Sequence, residues 1–98
     1  MDRRILPGPL HAEVSGSGPR VVLVHGFTQT GRSWRPIADA LAVDHEVVLV
    51  DAPGHGGSAH VAVGLEHAAD LLAEQLGRAT YVGYSMGGRI CLHVAVQH

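Results

Sequence analysis

A serine with glycine at both second neighbours is the feature of this sequence with the clearest chemical potential. The stretch is Gly83-Tyr84-Ser85-Met86-Gly87, and it directly follows an apolar run at residues 79–82. In a sharp turn from a strand into a helix, a side chain at either glycine would clash, and the serine hydroxyl is exposed at the apex. We therefore predict a nucleophile elbow with Ser85 at a positive φ or in a similarly sparse backbone region, between a strand and a helix.

Histidine and aspartate residues elsewhere in the sequence are the candidates for a base or a metal site. A nucleophilic serine needs a general base and a group that orients the base. We expect His25 to support its own loop by hydrogen bonding, and His55 with Asp51 to fix a second loop, rather than to react. A metal site from His55, His60 and His67 is disfavoured, because spacings of five and seven residues match neither a helical pair nor a zinc finger. We predict no metal.

Three continuous apolar runs must position these residues. They lie at residues 21–24, 47–50 and 79–82, and such runs indicate parallel strands that are buried on both faces. Helical patterns separate them. One covers residues 34–41, with Ser33 as N-cap and Pro36 in the first turn. A second covers residues 65–76 and ends at Gly77, and a third begins at about Met86.

The order of these elements predicts an α/β fold with a parallel sheet between two helical layers. Residues 1–19 are rich in glycine and proline, and a short strand at residues 10–14 followed by a turn predicts an edge hairpin. Three loops leave the carboxyl ends of the central strands, where ligands bind in open α/β sheets. They carry His25-Gly26-Phe27, residues 51–58 and the elbow.

With these motifs the chain resembles the α/β-hydrolase superfamily, over essentially all of its length from Val21 onward. The resemblance implies a three-layer sandwich and an oxyanion hole formed by two backbone N–H groups, those of Phe27 and Met86. A helix N-terminus at Met86 would favour negative charge there. The alternative for Phe27 is a core aromatic that covers its loop, and both roles can coexist because the donor is backbone.

The sequences of the three loops are similar to those of one branch of that superfamily, the 2-succinyl-6-hydroxy-2,4-cyclohexadiene-1-carboxylate synthases of menaquinone biosynthesis. The resemblance implies a carbon–oxygen lyase that eliminates pyruvate, with Tyr84 and Arg89 contacting a carboxylated small-molecule substrate. Arg89 lies one helical turn after Ser85, so its guanidinium can bind a carboxylate there. The alternative for Arg89 is a structural salt bridge. The alternatives for the function are a carboxylesterase or thioesterase, or a catalytically silent fragment.

The superfamily's catalytic acid and histidine follow the nucleophile in chain order, and so does its helical lid. We therefore expect residues 1–98 to be the N-terminal portion of a single α/β-hydrolase domain without the lid and the C-terminal part. None of the eight histidines can be assigned as the base by that order. We expect this portion to be inactive by itself.

Composition excludes several other classes. With 46% hydrophobic and 16% charged residues, the chain is typical of a globular protein, and no apolar run approaches the ~18 residues of a membrane span. A net charge of −2 without a basic cluster argues against a nucleic-acid partner. Proline and glycine near the N-terminus interrupt any signal peptide, so a cytoplasmic location is expected. No phosphate loop or dinucleotide fingerprint is present, and we predict no cofactor.

Overall fold

The computed structural model describes residues 2–98. Its strands are β1 (Arg4–Ile5), β2 (Ala12–Ser15), β3 (Arg20–Val24), β4 (Glu46–Val50) and β5 (Thr80–Gly83), and its α-helices are α1 (Arg35–Leu41), α2 (Leu65–Leu76) and α3 (Met86–Gln97). Within the described residues the strands form a five-stranded sheet in the order β1-β2-β4-β3-β5. The predicted alternation of strands and helices is confirmed.

The centre of the sheet is parallel and buried on both faces, as the apolar runs predict. Strand β3 pairs in parallel with β4 on one side and with β5 on the other. Val22 and Val24 of β3 pack with α2 and α3, whereas Val21 and Leu23 face α1. Because successive residues of a strand point to opposite faces, both sides must be covered by helices. The fold is therefore the predicted three-layer α/β sandwich.

The N-terminal strands form an antiparallel pair at the edge of the sheet, as predicted, but with different bounds. Strand β2 begins at Ala12, pairs antiparallel with β4, and carries β1 on its outer side. Leu10 lies before the strand and is buried, with its backbone N–H donating to the side chain of Gln75 in α2 at 2.9 Å. The apolar pattern therefore located a buried segment, and the ladder begins two residues later than predicted.

Two helix termini test the predicted caps. Gly77 is the C-cap of α2, as predicted, and its φ of 70 is one that glycine adopts without steric penalty. The predicted cap at Ser33 is wrong, because a 3₁₀ turn (Gly31–Trp34) precedes α1, and the side chain of Thr30 accepts from the N–H of Arg32. Within α1, Ala38 is buried, whereas Ile37 is 50% exposed. No helix within residues 2–98 has the length and apolar character that a membrane span requires.

Candidate active site

Ser85 lies at the apex between β5 and α3. Its backbone has φ 55 and ψ −113, and the helix begins at the next residue. Ser85 is exposed, and its side chain makes no capping hydrogen bond. A positive φ is costly for a non-glycine residue and is kept where surrounding structure imposes it. The predicted backbone geometry of the elbow is confirmed, and the hydroxyl is available to a substrate.

The two glycines of the motif are required by close backbone contacts. A Cβ at Gly83 would overlap the backbone of Gly87 and Gly88, and a Cβ at Gly87 would overlap the carbonyl oxygens of Val24 and His25. The first turn of α3 therefore lies directly against the carboxyl end of β3. Steric exclusion at these positions holds Ser85 beside the loop that follows β3.

The two backbone N–H groups expected in an oxyanion hole are free of hydrogen bonds within residues 2–98. Neither Phe27 nor Met86 donates to a described acceptor. Val24 and Gly83 are register partners in β3 and β5, so Phe27 and Met86 both come three residues after the same level of the sheet. The arrangement leaves two donors of neighbouring loops available at one edge.

The side chain of Phe27 does not cover a core. It is 70% exposed, so the alternative of a core aromatic is wrong. Its ring meets the ring of His55 edge-on, with centroids 5.5 Å apart. The phenyl group thus stands at the rim of the candidate site, where it can contact a bound ligand.

His25 and Asp51 hold the loops together, as predicted. The buried His25 donates from Nδ1 to the carbonyl of Gly26 at 2.7 Å and accepts at Nε2 from the N–H of Ala52 at 3.0 Å. The Asp51 carboxylate accepts from the N–H groups of Gly31 at 2.7 Å and Gly57 at 2.9 Å. Each of these side chains therefore links the loop after β3 to the loop after β4.

The environment of His25 favours its neutral form. Burial lowers the pKa of this imidazole, and nearby His55 acts in the same direction, while the hydrogen bond to Gly26 and the charge of Asp51 oppose the shift. A proton on Nε2 would also remove the acceptor that the Ala52 N–H uses. His25 is therefore a structural imidazole rather than a base for Ser85.

His55 is also occupied by backbone partners. Its Nε2 accepts from the N–H of Thr28 at 3.0 Å, and its Nδ1 donates to the carbonyl of Pro53 at 3.1 Å. Both ring nitrogens are used, so His55 offers no lone pair to a metal ion in this conformation. No group of three or more metal-ligating side chains occurs within residues 2–98.

The predicted substrate-binding residues flank the serine. Tyr84 is 60% exposed, and its ring packs where a Cβ of Gly26 would stand. Arg89 is exposed, and within residues 2–98 its guanidinium forms neither an ion pair nor a hydrogen bond. The alternative of a structural salt bridge for Arg89 therefore has no partner in the described part of the chain.

Two features of the site carry no sequence signal that pattern reasoning could use. The side-chain oxygen of Gln29 accepts from the N–H of Gly26 at 2.9 Å, and Thr28 has φ 67. Glutamine and threonine are common in loops, and only the folded backbone shows that they shape this one.

A groove of about 280 Å³ lies beside the elbow. It is lined by Gln29, Ser33, Trp34, Ile37 and Tyr84.

Comparison with known proteins finds relatives that are named as ester-cleaving enzymes. It is 48% identical over 91 residues to a pimeloyl-[acyl-carrier protein] methyl ester esterase of Vibrio atlanticus, covering 91% of this chain and 35% of that protein. The corresponding esterase of Vibrio cholerae is 43% identical, with 91% and 36% covered. The chain thus spans about a third of the length of these curated relatives.

Solved structures agree on the fold. A Pseudomonas aeruginosa protein provisionally named an epoxide hydrolase superposes with a TM-score of 0.80 at 34% identity, covering 99% of this chain and 37% of that one. A provisionally named alpha/beta hydrolase of Nostoc sp. PCC 7120 gives a TM-score of 0.84 at 26% identity, covering 99% and 38%.

The names of the two esterase relatives favour the ester hydrolase alternative over the lyase that the resemblance of the loop sequences implied. The relatives named above are methyl ester esterases by name, and neither name refers to pyruvate elimination or to menaquinone biosynthesis. The model of the alpha/beta hydrolase fold family matches residues 19–98, a range that includes the elbow, the loop after β3 and the central strands. The chain therefore belongs to the alpha/beta hydrolase fold family.

Proposed function

We propose that residues 1–98 are the N-terminal portion of a serine ester hydrolase in which Ser85 is the nucleophile. The observation that carries the proposal is the exposed side chain of Ser85 at φ 55, which makes no capping hydrogen bond. It lies at the same edge of the sheet as the N–H groups of Phe27 and Met86, which have no acceptor within residues 2–98. An unstrained serine with a capping bond would point to a structural role. The 48% identity to a methyl ester esterase supports this chemistry.

The reaction divides into acylation and deacylation. Ser85 Oγ attacks the ester carbonyl carbon and passes its proton to a general base, and the carbonyl oxygen becomes an oxyanion bound by the N–H groups of Phe27 and Met86. The C–O bond to the alcohol then breaks, and the base returns the proton to the leaving alcohol. Water releases the acyl group from Ser85 by the same route, giving the carboxylic acid.

The base and the acid that orients it lie outside residues 1–98 in this proposal. Within the described residues no side chain hydrogen-bonds to Ser85 Oγ, and the rings of His25 and His55 are held by backbone groups. By itself, the 98-residue chain should therefore show no ester turnover above background.

The position of Arg89 is our reason for proposing that the substrate carries a carboxylate. The residue follows Ser85 by one helical turn, and the N–H of Arg89 donates to the carbonyl of Ser85 at 3.1 Å. Residues at i and i+4 share a helix face, so a free guanidinium stands on the side of α3 that bears the nucleophile. A carboxylate on the acyl portion of the ester would form charge-assisted hydrogen bonds with it.

A pair of esters with one leaving group tests the proposal in the longer protein. The p-nitrophenyl ester of valeric acid and the mono-p-nitrophenyl ester of glutaric acid differ by a methyl group against a carboxylate. We expect turnover of both, with kcat/KM for the glutarate ester reduced about 10- to 100-fold by Arg89→Ala, since a charge-assisted bond is worth roughly 1.5–3 kcal/mol.

The controls separate the roles. Valerate turnover should change little in Arg89→Ala, and Arg78→Ala should leave both esters unaffected, because Arg78 is exposed at the opposite end of β5. If Arg89→Ala lowered kcat/KM equally for both esters, the proposed carboxylate on the substrate would be refuted. Release of pyruvate from the enolpyruvyl precursor of the synthase, without ester turnover, would restore the lyase alternative.

A further inference from the structure

His55 connects the loop that carries Phe27 to the loop after β4. Its Nε2 accepts from the N–H of Thr28 at 3.0 Å, and its Nδ1 donates to the carbonyl of Pro53 at 3.1 Å. These two bonds can coexist only in the neutral imidazole with its proton on Nδ1. The ring is further placed by the edge of Phe27 and by His25, with centroids 5.5 and 5.1 Å away.

The residue that His55 holds has an unfavourable backbone conformation. Thr28 has φ 67, and within residues 2–98 the other non-glycine residue at positive φ is Ser85. A β-branched residue rarely adopts this region, because its Cβ crowds the backbone. Such a conformation persists when neighbouring contacts impose it, and the bond from Thr28 N–H to His55 is one such contact.

The backbone N–H groups of the two residues beside Phe27 are anchored, while the N–H of Phe27 itself has no acceptor within residues 2–98. The N–H of Gly26 donates to Gln29 Oε1 at 2.9 Å, and the N–H of Thr28 donates to His55 Nε2 at 3.0 Å. Within the described residues the N–H of Phe27 has no acceptor. With both neighbours fixed, the direction of this one donor is fixed as well.

We propose that His55 is a positioning residue for the oxyanion hole: its neutral imidazole holds Thr28 in the left-handed conformation and thereby aims the backbone N–H of Phe27 at the substrate oxygen beside Ser85. This inference rests on the proposed ester hydrolysis. It assigns His55 no contact with substrate and no proton transfer. Its contribution is to keep the donor in place before the transition state forms.

Substitutions at position 55 separate this role from a general loss of structure. His55→Gln keeps an acceptor at the distance of Nε2, whereas His55→Ala leaves the N–H of Thr28 unpaired. His60→Ala is the matched control, since His60 lies in the same loop and is exposed. All variants are made in the longer protein, shown to be folded by circular dichroism, and assayed with p-nitrophenyl valerate.

The expected change lies in kcat. Removing one oxyanion donor costs about 10²–10³ in kcat, and a displaced donor in His55→Ala should cost about 10- to 100-fold, with KM within about twofold. His55→Gln should stay within about threefold of wild type, and His60→Ala should be unchanged. In long-range ¹H–¹⁵N spectra, His55 should be neutral and protonated on Nδ1.

A second substitution tests the strain directly. Glycine takes a positive φ without the steric penalty of threonine, so Thr28→Gly in the His55→Ala background should recover about fivefold of the lost kcat. The inference is overturned if His55→Ala retains wild-type kcat, if Thr28→Gly brings no recovery, or if His55 is protonated on Nε2. Ester turnover that survives Ser85→Ala would instead remove the proposed function, so the two failures are distinguishable.

Discussion

At the scale of single residues, the site is built from groups whose local conformation is poor by itself. Ser85 and Thr28 both have positive φ, and each stands next to a backbone N–H that lacks a partner within residues 2–98. Strain of this kind costs roughly 1–3 kcal/mol per residue. The strain is maintained because the glycines of the elbow and the hydrogen bonds of His25, His55 and Asp51 fix the elbow and the loops after β3 and β4.

The strain at Ser85 predicts that activity and stability oppose each other there. Ser85→Ala and Ser85→Gly should both reduce kcat by at least about 10⁴-fold, since both remove the nucleophile. Ser85→Gly should be the more stable of the two by about 1 kcal/mol, because glycine adopts φ 55 without steric penalty. Thermal unfolding of both variants in the longer protein provides the measurement, and equal stabilities would argue against strain at this position.

The pKa of His25 predicts how the loops respond to acid. Burial lowers this pKa below the ordinary value of 6.5, so the folded state binds fewer protons than the unfolded state. The stabilisation by neutral His25 is thus complete above pH 6.5 and is lost as the pH falls towards the folded pKa. An NMR titration of the His25 ring should give a midpoint below 6.5, and a midpoint above this value would contradict this environment.

At the scale of elements, the close packing of the first turn of α3 against the end of β3 decides where Ser85 lies. The contact is possible because Gly87 has no side chain between α3 and the carbonyls of Val24 and His25. Val24 also accepts from the N–H of Tyr84 at 3.0 Å. The helix start, the strand end and the loop after β3 are thereby joined within a few residues.

Two neighbouring glycines in α3 give a matched test of that contact. Gly87→Ala should destabilise the protein by about 1–3 kcal/mol or more, because the added Cβ overlaps backbone that cannot move away. For a domain of 150–250 residues this corresponds to a fall in Tm of roughly 2–4 °C per kcal/mol. Gly88→Ala meets the carbonyl of Gly83 at an ordinary 3.5 Å and should be neutral or stabilising through its helix propensity. Similar losses of stability in Gly87→Ala and Gly88→Ala would contradict the close packing of α3 against β3.

The elements that sequence could predict are those with a strong local pattern. The central strands, the bounds of α2 and the backbone of the elbow follow from apolar runs, helical spacing and paired glycines. The start of α1 could not be predicted in this way, because both Thr30 and Ser33 are suitable capping residues. Which of them caps the turn depends on where the loop contacts Asp51. The anchoring roles of Gln29 and Thr28 depend on contacts with distant backbone, which no spacing encodes.

The specific reaction was predicted less well than the fold for a related reason. Loop motifs report the geometry that a superfamily shares, and that geometry suits several reactions. The resemblance to the synthase branch rested on the sequences of the three loops, with Arg89 as the residue that supported it, and its implied substrate contacts lie outside the elbow itself. Similarity over 91 residues to methyl ester esterases draws on the whole chain and favours ester hydrolysis.

At the scale of the whole molecule, the sheet is covered unevenly. Helices α2 and α3 pack on one face and α1 on the other, and β5 is the last strand of the sheet on its side within residues 2–98. Val82 of β5 is 39% exposed, and Leu92 and Val96 of α3 are 68% and 86% exposed. An uncovered apolar edge of this kind favours association with further strands.

The open edge predicts self-association of the 98-residue chain when it is prepared alone. Val82→Lys should reduce this association, because a charged side chain on an edge strand opposes pairing with a second strand. Val43→Lys is the control, since Val43 is 80% exposed but lies after α1, away from the edge. Sedimentation velocity measures the effect, and an equal response to both lysines would place the association elsewhere.

The assignment of Ser85 as the nucleophile is tested most directly by covalent trapping in the longer protein. A fluorophosphonate reacts with a serine that is activated by a base and an oxyanion hole, and peptide mass spectrometry identifies the modified residue. We expect one equivalent of label on the peptide that contains Ser85, loss of ester turnover in parallel, and no labelling of Ser85→Ala. Label on a different residue, or continued turnover by Ser85→Ala, would contradict the assignment.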